Sequence, residues 1–196
     1  MDTGKAGQSH GATMAAYAAC VVAALYAVVS FYWALGGTAG IDTLGGELEQ
    51  LARDGDPMVL WLAGAAGVLK VAGAVLALGL VRPWGRVVPR RLLLVAAWAG
   101  SVVLVLYGGL NVVGGALVLA GAVDVSGPLD RPALWWHVLV WDLWFLVWGL
   151  LLGLAAWRYG RGEVAPAPAI AVSAGHNPGH ALWHPWSDAG AAHRRT

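Results

Sequence analysis

The chain has 196 residues, of which 59% are hydrophobic and 12% charged, whereas about 25% of residues are charged in a typical soluble domain. The apolar residues form long unbroken runs, so the composition predicts an integral membrane protein and argues against a soluble fold. A net charge of +1 provides no large basic surface for a nucleic acid. The single cysteine, Cys20, excludes an intramolecular disulfide and a cysteine-based metal cluster.

Four apolar runs are each long enough to cross the roughly 30 Å hydrocarbon layer of a bilayer as an α-helix. Residues 1–11 and 160–196 are polar or rich in Gly and Pro, and we expect both segments to be disordered. The third run is longer than one crossing needs, which predicts tilt or an extension beyond the surface. The predicted transmembrane domain, residues 12–159, contains spans at 12–36, 58–80, 92–123 and 133–157.

The segment between the first two spans contains a different kind of helix. Glycines end the first span, and Leu44, Leu48 and Leu51 then recur at helical spacing. This pattern predicts a short amphipathic helix over residues 44–53 that lies in the membrane interface or caps the bundle. The predicted fold class is therefore all-α: an integral membrane four-helix bundle with a short interfacial helix after the first span.

An internal repeat is an open alternative within this fold class. Two duplicated helical hairpins would produce such a repeat, as in some transporters, and chance matches in a chain so rich in Gly and Leu would also produce it. Shifting the chain by 75 positions pairs Tyr32 with Tyr107, Leu35 with Leu110, Gly40 with Gly115, Pro57 with Pro132 and Trp61 with Trp136.

The distribution of charge predicts the topology. The loop over residues 82–91 contains four arginines, and Arg158 and Arg161 follow the fourth span, whereas the loop between the first two spans is acidic. Under the positive-inside rule, four crossings with both termini in the cytoplasm place every basic stretch inside. Arginine outnumbers lysine ten to two, as is typical of a high-GC bacterial genome, so we expect a bacterial inner-membrane protein.

Three histidines in the tail have a spacing that could bind a metal ion. His176, His180 and His184 are spaced by four residues, which would place them on one face of a helix. Pro178 and Pro185 interrupt any such helix. We therefore predict a solvated tail, no metal site and no cofactor.

The sequence GGTAGIDTLGG at residues 36–46 is preceded by FYWAL and followed by an acidic helix and Pro57. Together with YGGLN at residues 107–111, this pattern resembles an uncharacterised family, a domain of unknown function, of small bacterial four-helix integral membrane proteins. The resemblance covers about residues 14–160. It implies the four-helix membrane fold, and because the family has no assigned activity, it implies no catalytic roles.

Few polar residues interrupt the spans. Lys70 lies near the middle of the second span on a face of small residues, so we expect it to point into the bundle. At about 1.5 Å per residue, Asp142, Asn111 and Ser30 lie at a comparable depth. Because an unpaired charge at such depth costs about 2.5–3.5 kcal/mol, we predict a Lys70–Asp142 pair bridged by Asn111. Such a pair is either structural glue between helices or a functional polar site.

The fourth span contains a histidine and an aspartate five positions apart. An ideal α-helix separates His137 and Asp142 by about 140°, which argues against an acid–base pair between them. His137 is predicted to be a polar anchor on the same face as Trp141 and Trp144, and that face lines a neighbouring groove, a partner subunit or lipid. Trp135, Gly149 and Gly153 share the Asp142 face. The two glycines predict that this face is close-packed, and we expect it to turn toward Lys70 and Asn111.

Asp42 lies in the glycine-rich segment just outside the first span. An aspartate in such a turn is suited to capping the helix that follows, and the alternative is that Asp42 lines the mouth of the polar site. Trp33, Trp61, Trp135 and Trp136 fit an aromatic belt at the outer interface.

Three functions fit these residues. The first is a bundle that holds a lipophilic small molecule, a proton or an ion at its polar layer, with several copies needed to form a pore. The second is an intramembrane enzyme in which Asp142 starts the isomerisation or cyclisation of a lipid or isoprenoid as an acid, and tryptophans stabilise a developing cation. The third is a non-catalytic partner subunit. The catalytic candidates are Asp142 and Lys70, and the ligand-binding candidates are Asn111, Tyr107, Ser30, His137, Trp135, Trp141, Trp144 and Asp42.

Overall fold

The computed structural model describes residues 3–125 and 129–162, and the regular structure within these ranges is entirely helical. Four helical stretches are long and apolar enough to cross a membrane, which confirms the predicted all-α fold class. Short 3₁₀ turns occur at Ile41–Thr43 and Pro83–Val87, and a π-helical turn occurs at His137–Trp141. The helices are α1 (Thr3–Ala34), α2 (Gly46–Arg53), α3 (Pro57–Gly79), α4 (Arg90–Leu119), α5 (Arg131–Trp136) and α6 (Asp142–Gly160).

The largest differences between the helix ends and the predicted segments occur at two places. α1 begins at Thr3, so residues 3–11, which we expected to be disordered, are helical. An apolar helix that is already nucleated extends into a neighbouring segment at little cost, and no proline interrupts these residues. α4 ends at Leu119, before the predicted residue 123, because Gly121 adopts a left-handed φ of 70°. The histidine-containing tail, residues 163–196, lies outside the described residues.

The long helices pack as two antiparallel pairs. α1 packs along α3, and α4 packs along α6, while α1 and α6 also pack together and join the two pairs. α3 and α4 touch over a much shorter length. Consecutive spans therefore form two hairpins, which is the arrangement that the repeat hypothesis requires.

Small residues allow the central helices to approach closely. Ala16, Ala19 and Ala23 on α1 are fully buried in the same core cluster as Ala155 and Ala156 on α6. Since lipid tails are as apolar as leucine, helices in a bilayer are held together by close packing more than by burial of apolar surface. The alanine contacts thus fix α6 against α1 and orient the polar residues that the two helices carry.

Glycines have the same effect between α4 and α6. A Cβ at Gly108 would lie 2.5 Å from the backbone nitrogen of Leu146 and 2.6 Å from the backbone oxygen of Asp142. A Cβ at Gly149 would lie 2.8 Å from the backbone nitrogen of Val105. The face of α6 that carries Gly149 therefore packs on α4, backbone against backbone.

The two ends of the bundle differ in charge. Arg90 donates hydrogen bonds to the carbonyls of Tyr159 (3.2 Å) and Gly160 (2.8 Å), which ties the start of α4 to the end of α6. We call this end the arginine end. It carries Arg82, Arg86, Arg90, Arg91, Arg158 and Arg161, and the opposite end carries the acidic helix α2.

The segment between α1 and α2, residues 35–45, is called the glycine loop. Gly40 and Gly45 adopt φ angles of 78° and 69°, which residues with a side chain rarely adopt. Gly45 also packs against α5, since a Cβ there would lie 2.6 Å from the Cβ of Ala133. These glycines let the loop fold back over the end of the bundle.

Candidate functional site

A cavity of about 310 Å³ lies between α2, the glycine loop, the end of α1 and the first half of α3. We call it the α2 cavity. Its wall is mostly apolar, because Ile41 and Leu44 of the loop and Leu48 of α2 face Ala63 and Ala66 of α3 across it. Ser30 and Lys70 are the lining residues farthest along α1 and α3 from α2, so a polar pair forms the inner end of an apolar space.

Lys70 is only 8% exposed and takes its contacts from α1 and α6. Its Nζ donates a hydrogen bond of 2.6 Å to Ser30 Oγ. The same Nζ lies 4.0 Å from the centre of the Tyr26 ring and 5.7 Å from that of the Phe145 ring. A hydroxyl and aromatic faces stabilise a cation without neutralising it, since neither carries a full negative charge.

The predicted Lys70–Asp142 pair does not form. Among the described residues the ion pairs are Arg53–Glu49 and His137–Asp142, and Lys70 takes part in neither. Asn111 is exposed and donates to the backbone oxygen of Tyr107 in its own helix (2.7 Å), so it bridges nothing. Similar depth did not bring these residues together, because α1 packs against both α3 and α6.

Asp142 instead faces His137, contrary to the helical-geometry argument. The Asp142 carboxylate is 3.6 Å from His137 Nδ1, and the residue is 6% exposed. The reason is the π-helical turn at His137–Trp141, in which the backbone N–H of Asp142 bonds to the carbonyl of His137. A π turn aligns residues five apart, whereas an α turn aligns residues three or four apart. π turns are rare in proteins as a whole, and those that occur are frequently located at functional sites.

The fourth span also holds the glycine loop in place. His137 Nε2 lies 3.2 Å from the backbone oxygen of Leu44, and Trp141 Nε1 donates to Thr43 Oγ1 at 3.1 Å. Thr43 in turn donates to the carbonyl of Gly40 at 2.6 Å. Since Leu44 lines the α2 cavity, the fourth span fixes one wall of that cavity through two hydrogen bonds.

The tryptophan face of α6 lies inside the bundle, against α1. Trp144 Nε1 donates to the backbone oxygen of Val22 at 3.0 Å. The Tyr26 ring stacks on Trp141 with centroids 5.9 Å apart and packs against Phe145 at 4.8 Å. This face therefore contacts a groove of the same chain, while Trp141 and Trp144 remain partly exposed.

Three other predicted site residues, Asp42, Trp135 and Tyr107, take no part in the side-chain hydrogen bonds of Lys70, His137 or the tryptophans. Asp42 is exposed in the 3₁₀ turn and caps no helix, because Gly45 occupies the N-cap position of α2 and offers no side chain. Trp135 is half exposed, and Tyr107 packs edge-on against Phe145 at 5.1 Å while remaining half exposed. In residues 3–125 and 129–162, no group of three or more histidine, cysteine, aspartate or glutamate side chains is placed to hold a metal ion.

Sequence reasoning missed Tyr26, Thr43 and Leu44. Tyr26 precedes Ser30 by four positions, so helical spacing could have placed both on the face that meets Lys70. Thr43 and Leu44 act through loop geometry and a backbone oxygen, which leave no pattern in the sequence.

Four membrane-length helices with a lysine, a histidine and an aspartate between them define a multi-pass helical membrane protein with polar clusters inside its bundle. A family model described as "Protein of unknown function (DUF3995)" matches residues 22–152, and the chain belongs to this family. The matched segment contains the α2 cavity, the glycine loop and the His137–Asp142 pair. No curated protein and no solved structure matches the chain.

Proposed function

We propose that the protein binds a lipophilic small molecule in the α2 cavity, and that Lys70 receives an anionic or hydrogen-bond-accepting oxygen of that molecule. The observation that carries the proposal is the position of Lys70, a buried cation at the inner end of an apolar cavity. Ligand sites are commonly apolar clefts of roughly 300–1,000 Å³ with a few polar groups that orient the ligand. The α2 cavity, at about 310 Å³, fits a compact ligand.

The charge balance around Lys70 supports an acidic end on the ligand. Ser30 and the Tyr26 ring are its nearest partners, and no carboxylate among the described residues forms an ion pair with it. A cation inside a membrane protein is costly unless it is paired. A ligand carboxylate in the cavity would supply the missing charge, whereas a purely hydrocarbon ligand would leave it unpaired.

A cavity-filling substitution tests this proposal. Ala66→Phe places a ring in the cavity, and it should lower photo-crosslinking of a diazirine-bearing medium-chain carboxylate, in nanodiscs, by about tenfold or more. The matched control is Ala65→Phe, because Ala65 is the exposed neighbour of Ala66 and does not line the cavity. Equal crosslinking of both variants and the wild type would contradict binding in the α2 cavity.

We also infer that α2 lies on the extracytoplasmic side and that both termini are cytoplasmic. The arginine end carries the basic residues of two separate chain segments, and the positive-inside rule assigns such an end to the cytoplasm. The cavity would then open toward the outer leaflet. This orientation in a cell membrane makes the outer leaflet or the space beyond it the source of the ligand.

Cysteine labelling tests the orientation. In a Cys20→Ser background, Glu47→Cys should react with a membrane-impermeant maleimide in intact cells, and Arg91→Cys should react only after permeabilisation. Both positions are exposed, so the difference between them reports the side of the membrane. The reverse pattern would place α2 in the cytoplasm.

The enzymatic alternative lacks a comparable observation. Asp142, the proposed acid, does not line the α2 cavity and faces His137.

A further inference from the structure

We propose that His137 and Asp142 form a binding site for a single proton, and that this proton latches the glycine loop over the α2 cavity. Loss of the proton releases the hydrogen bond between His137 and Leu44 and loosens one wall of the cavity. The proton site stands on the geometry of the π turn alone. Its effect on ligand access rests on the proposed function.

The two imidazole nitrogens of His137 face different partners. Nδ1 faces the Asp142 carboxylate at 3.6 Å, an ion-pair distance slightly longer than a hydrogen bond, and Nε2 faces the backbone oxygen of Leu44 at 3.2 Å. The His137 side chain is 38% exposed and the Asp142 side chain 8% exposed. A proton can therefore reach the pair from the α2 end of the bundle through His137.

The number of hydrogens on His137 and Asp142 decides which of their contacts are satisfied. A carbonyl oxygen only accepts, so the bond to Leu44 requires a hydrogen on Nε2. When the pair holds one further proton, both contacts are satisfied. In the imidazolium–carboxylate form, Nδ1–H faces Asp142 and Nε2–H faces Leu44; in the neutral form, the carboxylic acid O–H faces Nδ1 and Nε2–H still faces Leu44.

Deprotonation of the pair removes that further proton. The neutral imidazole then has one hydrogen, and two acceptors face its two nitrogens. A hydrogen that faces a buried carboxylate is more stabilising than one that faces a neutral carbonyl, because an unpaired buried charge is the costlier outcome. The hydrogen therefore moves to Nδ1, where it faces Asp142, and the Nε2 lone pair now points at Leu44 and repels its oxygen.

The consequence falls on the cavity wall, because the fourth span holds the glycine loop by only two side-chain hydrogen bonds among the described residues. His137 binds Leu44, and Trp141 binds Thr43. Without the first bond, Trp141 provides the one side-chain hydrogen bond that remains from the fourth span to the loop among the described residues, and Leu44, which lines the cavity, loses its own. Protonation thus closes this wall and deprotonation loosens it.

The other ionisable groups around the pair do not replace the missing hydrogen. Asp142 acts electrostatically on Tyr26 of α1 and Tyr107 of α4, and Lys70 of α3 donates to Ser30 beside the Tyr26 ring. Asp130, which precedes α5, accepts from the backbone nitrogen of Ala133 at 3.1 Å. No bond from any of these side chains to the Leu44 oxygen occurs in the described part of the chain.

Hydrogen exchange of the ligand-free protein in nanodiscs tests the latch. The protection of amides 41–45, corrected for the intrinsic effect of pH on exchange, should fall about tenfold between roughly pH 5 and pH 9 in the wild type. Asp142→Asn should remain protected at both pH values, because a neutral amide that donates to Nδ1 keeps the hydrogen on Nε2. His137→Ala should be poorly protected at both.

Two control variants separate the latch from other pH effects. Trp141→Phe removes the second loop bond, so it should lower protection at every pH and retain the pH-dependent step. Asp54→Asn, an exposed carboxylate beyond α2, should behave as the wild type. Constant protection in the wild type, or a wild-type response in Asp142→Asn, would overturn the proton site.

The same experiment distinguishes the latch from the proposed function, because no ligand is present. A pH-dependent loop in a protein that does not crosslink the carboxylate probe would retain the latch and overturn ligand binding. If the protein crosslinks the carboxylate probe and the protection of its loop does not change with pH, the ligand-binding proposal stands and the proton latch is overturned. If both stand, crosslinking yield in the wild type should change with pH, and it should not change in Asp142→Asn.

Discussion

Replacing Gly108 by alanine is expected to lower the free energy of unfolding by about 1–3 kcal/mol, the usual cost of overpacking a well-packed core. The added methyl group would lie 2.5–2.6 Å from backbone atoms of Leu146 and Asp142. Backbone atoms cannot rotate away as a flexible side chain can, so α4 has to separate from α6. Because Asp142 is the first residue after the π turn, the His137–Asp142 distance should change as well.

Gly109→Ala is the matched control, since it makes the same substitution one position along the same helix. A Cβ at Gly109 meets only the end of the Leu146 side chain, at 3.9 Å. Alanine also favours a helix by about 1 kcal/mol over glycine, so this variant should be as stable as the wild type or more stable. Thermal unfolding of both variants in the same detergent measures the difference. Equal unfolding temperatures would show that α4 and α6 are not in close contact at Gly108.

The number and type of the helices could be predicted because they depend on properties of single segments. A run of some twenty apolar residues has to be helical in a bilayer, where no water satisfies its backbone. Glycine spacing on the fourth span likewise predicted a close-packed face, and Gly149 and Gly153 do pack on α4. Each of these inferences needed one helix and its surroundings, and no knowledge of helix order.

The pairing of the charges required more than depth along each helix. The sequence places Lys70 and Asp142 at similar depth. In the structure α1 packs beside α3, so Lys70 contacts Ser30 and Tyr26 and not Asp142. Which helix packs against which is decided by small residues on several helices at once, such as the alanines of α1 and α6. A single span read alone does not contain that information.

The His137–Asp142 pair was rejected for a different reason, which was the assumption of an ideal α-helix. Five residues in an α-helix point to different sides, and the same five in a π turn point to the same side. The π turn lies where the fourth span meets the glycine loop, between α5 and α6. At this turn His137 contacts Leu44, and Trp141 contacts Thr43. The two residues of each contact are more than ninety positions apart in the chain.

Replacing Lys70 by methionine should affect ligand binding much more than the stability of the fold. Methionine has a similar length and no charge, so the variant should lose about tenfold or more of the crosslinking to the carboxylate probe. The matching alcohol probe, which has no charge to pair, should lose less. A result in which both probes lose crosslinking equally would assign Lys70 to the shape of the cavity and not to recognition of an acidic end.

The ligand-free Lys70→Met protein should be about as stable as the wild type. A lysine within a membrane helix costs about 2.5–3.5 kcal/mol, whereas a desolvated contact with an aromatic ring returns about 2 kcal/mol and the hydrogen bond to Ser30 about 1 kcal/mol. Because these contributions nearly cancel, the free energy of unfolding should change by less than about 1 kcal/mol, measured by thermal unfolding without ligand. Ser30→Ala should lower it, because it keeps the charge and removes its hydrogen-bond partner. A lysine whose removal leaves the fold unchanged and abolishes binding is retained for the ligand, whereas a lysine whose removal destabilises the fold is retained for the bundle.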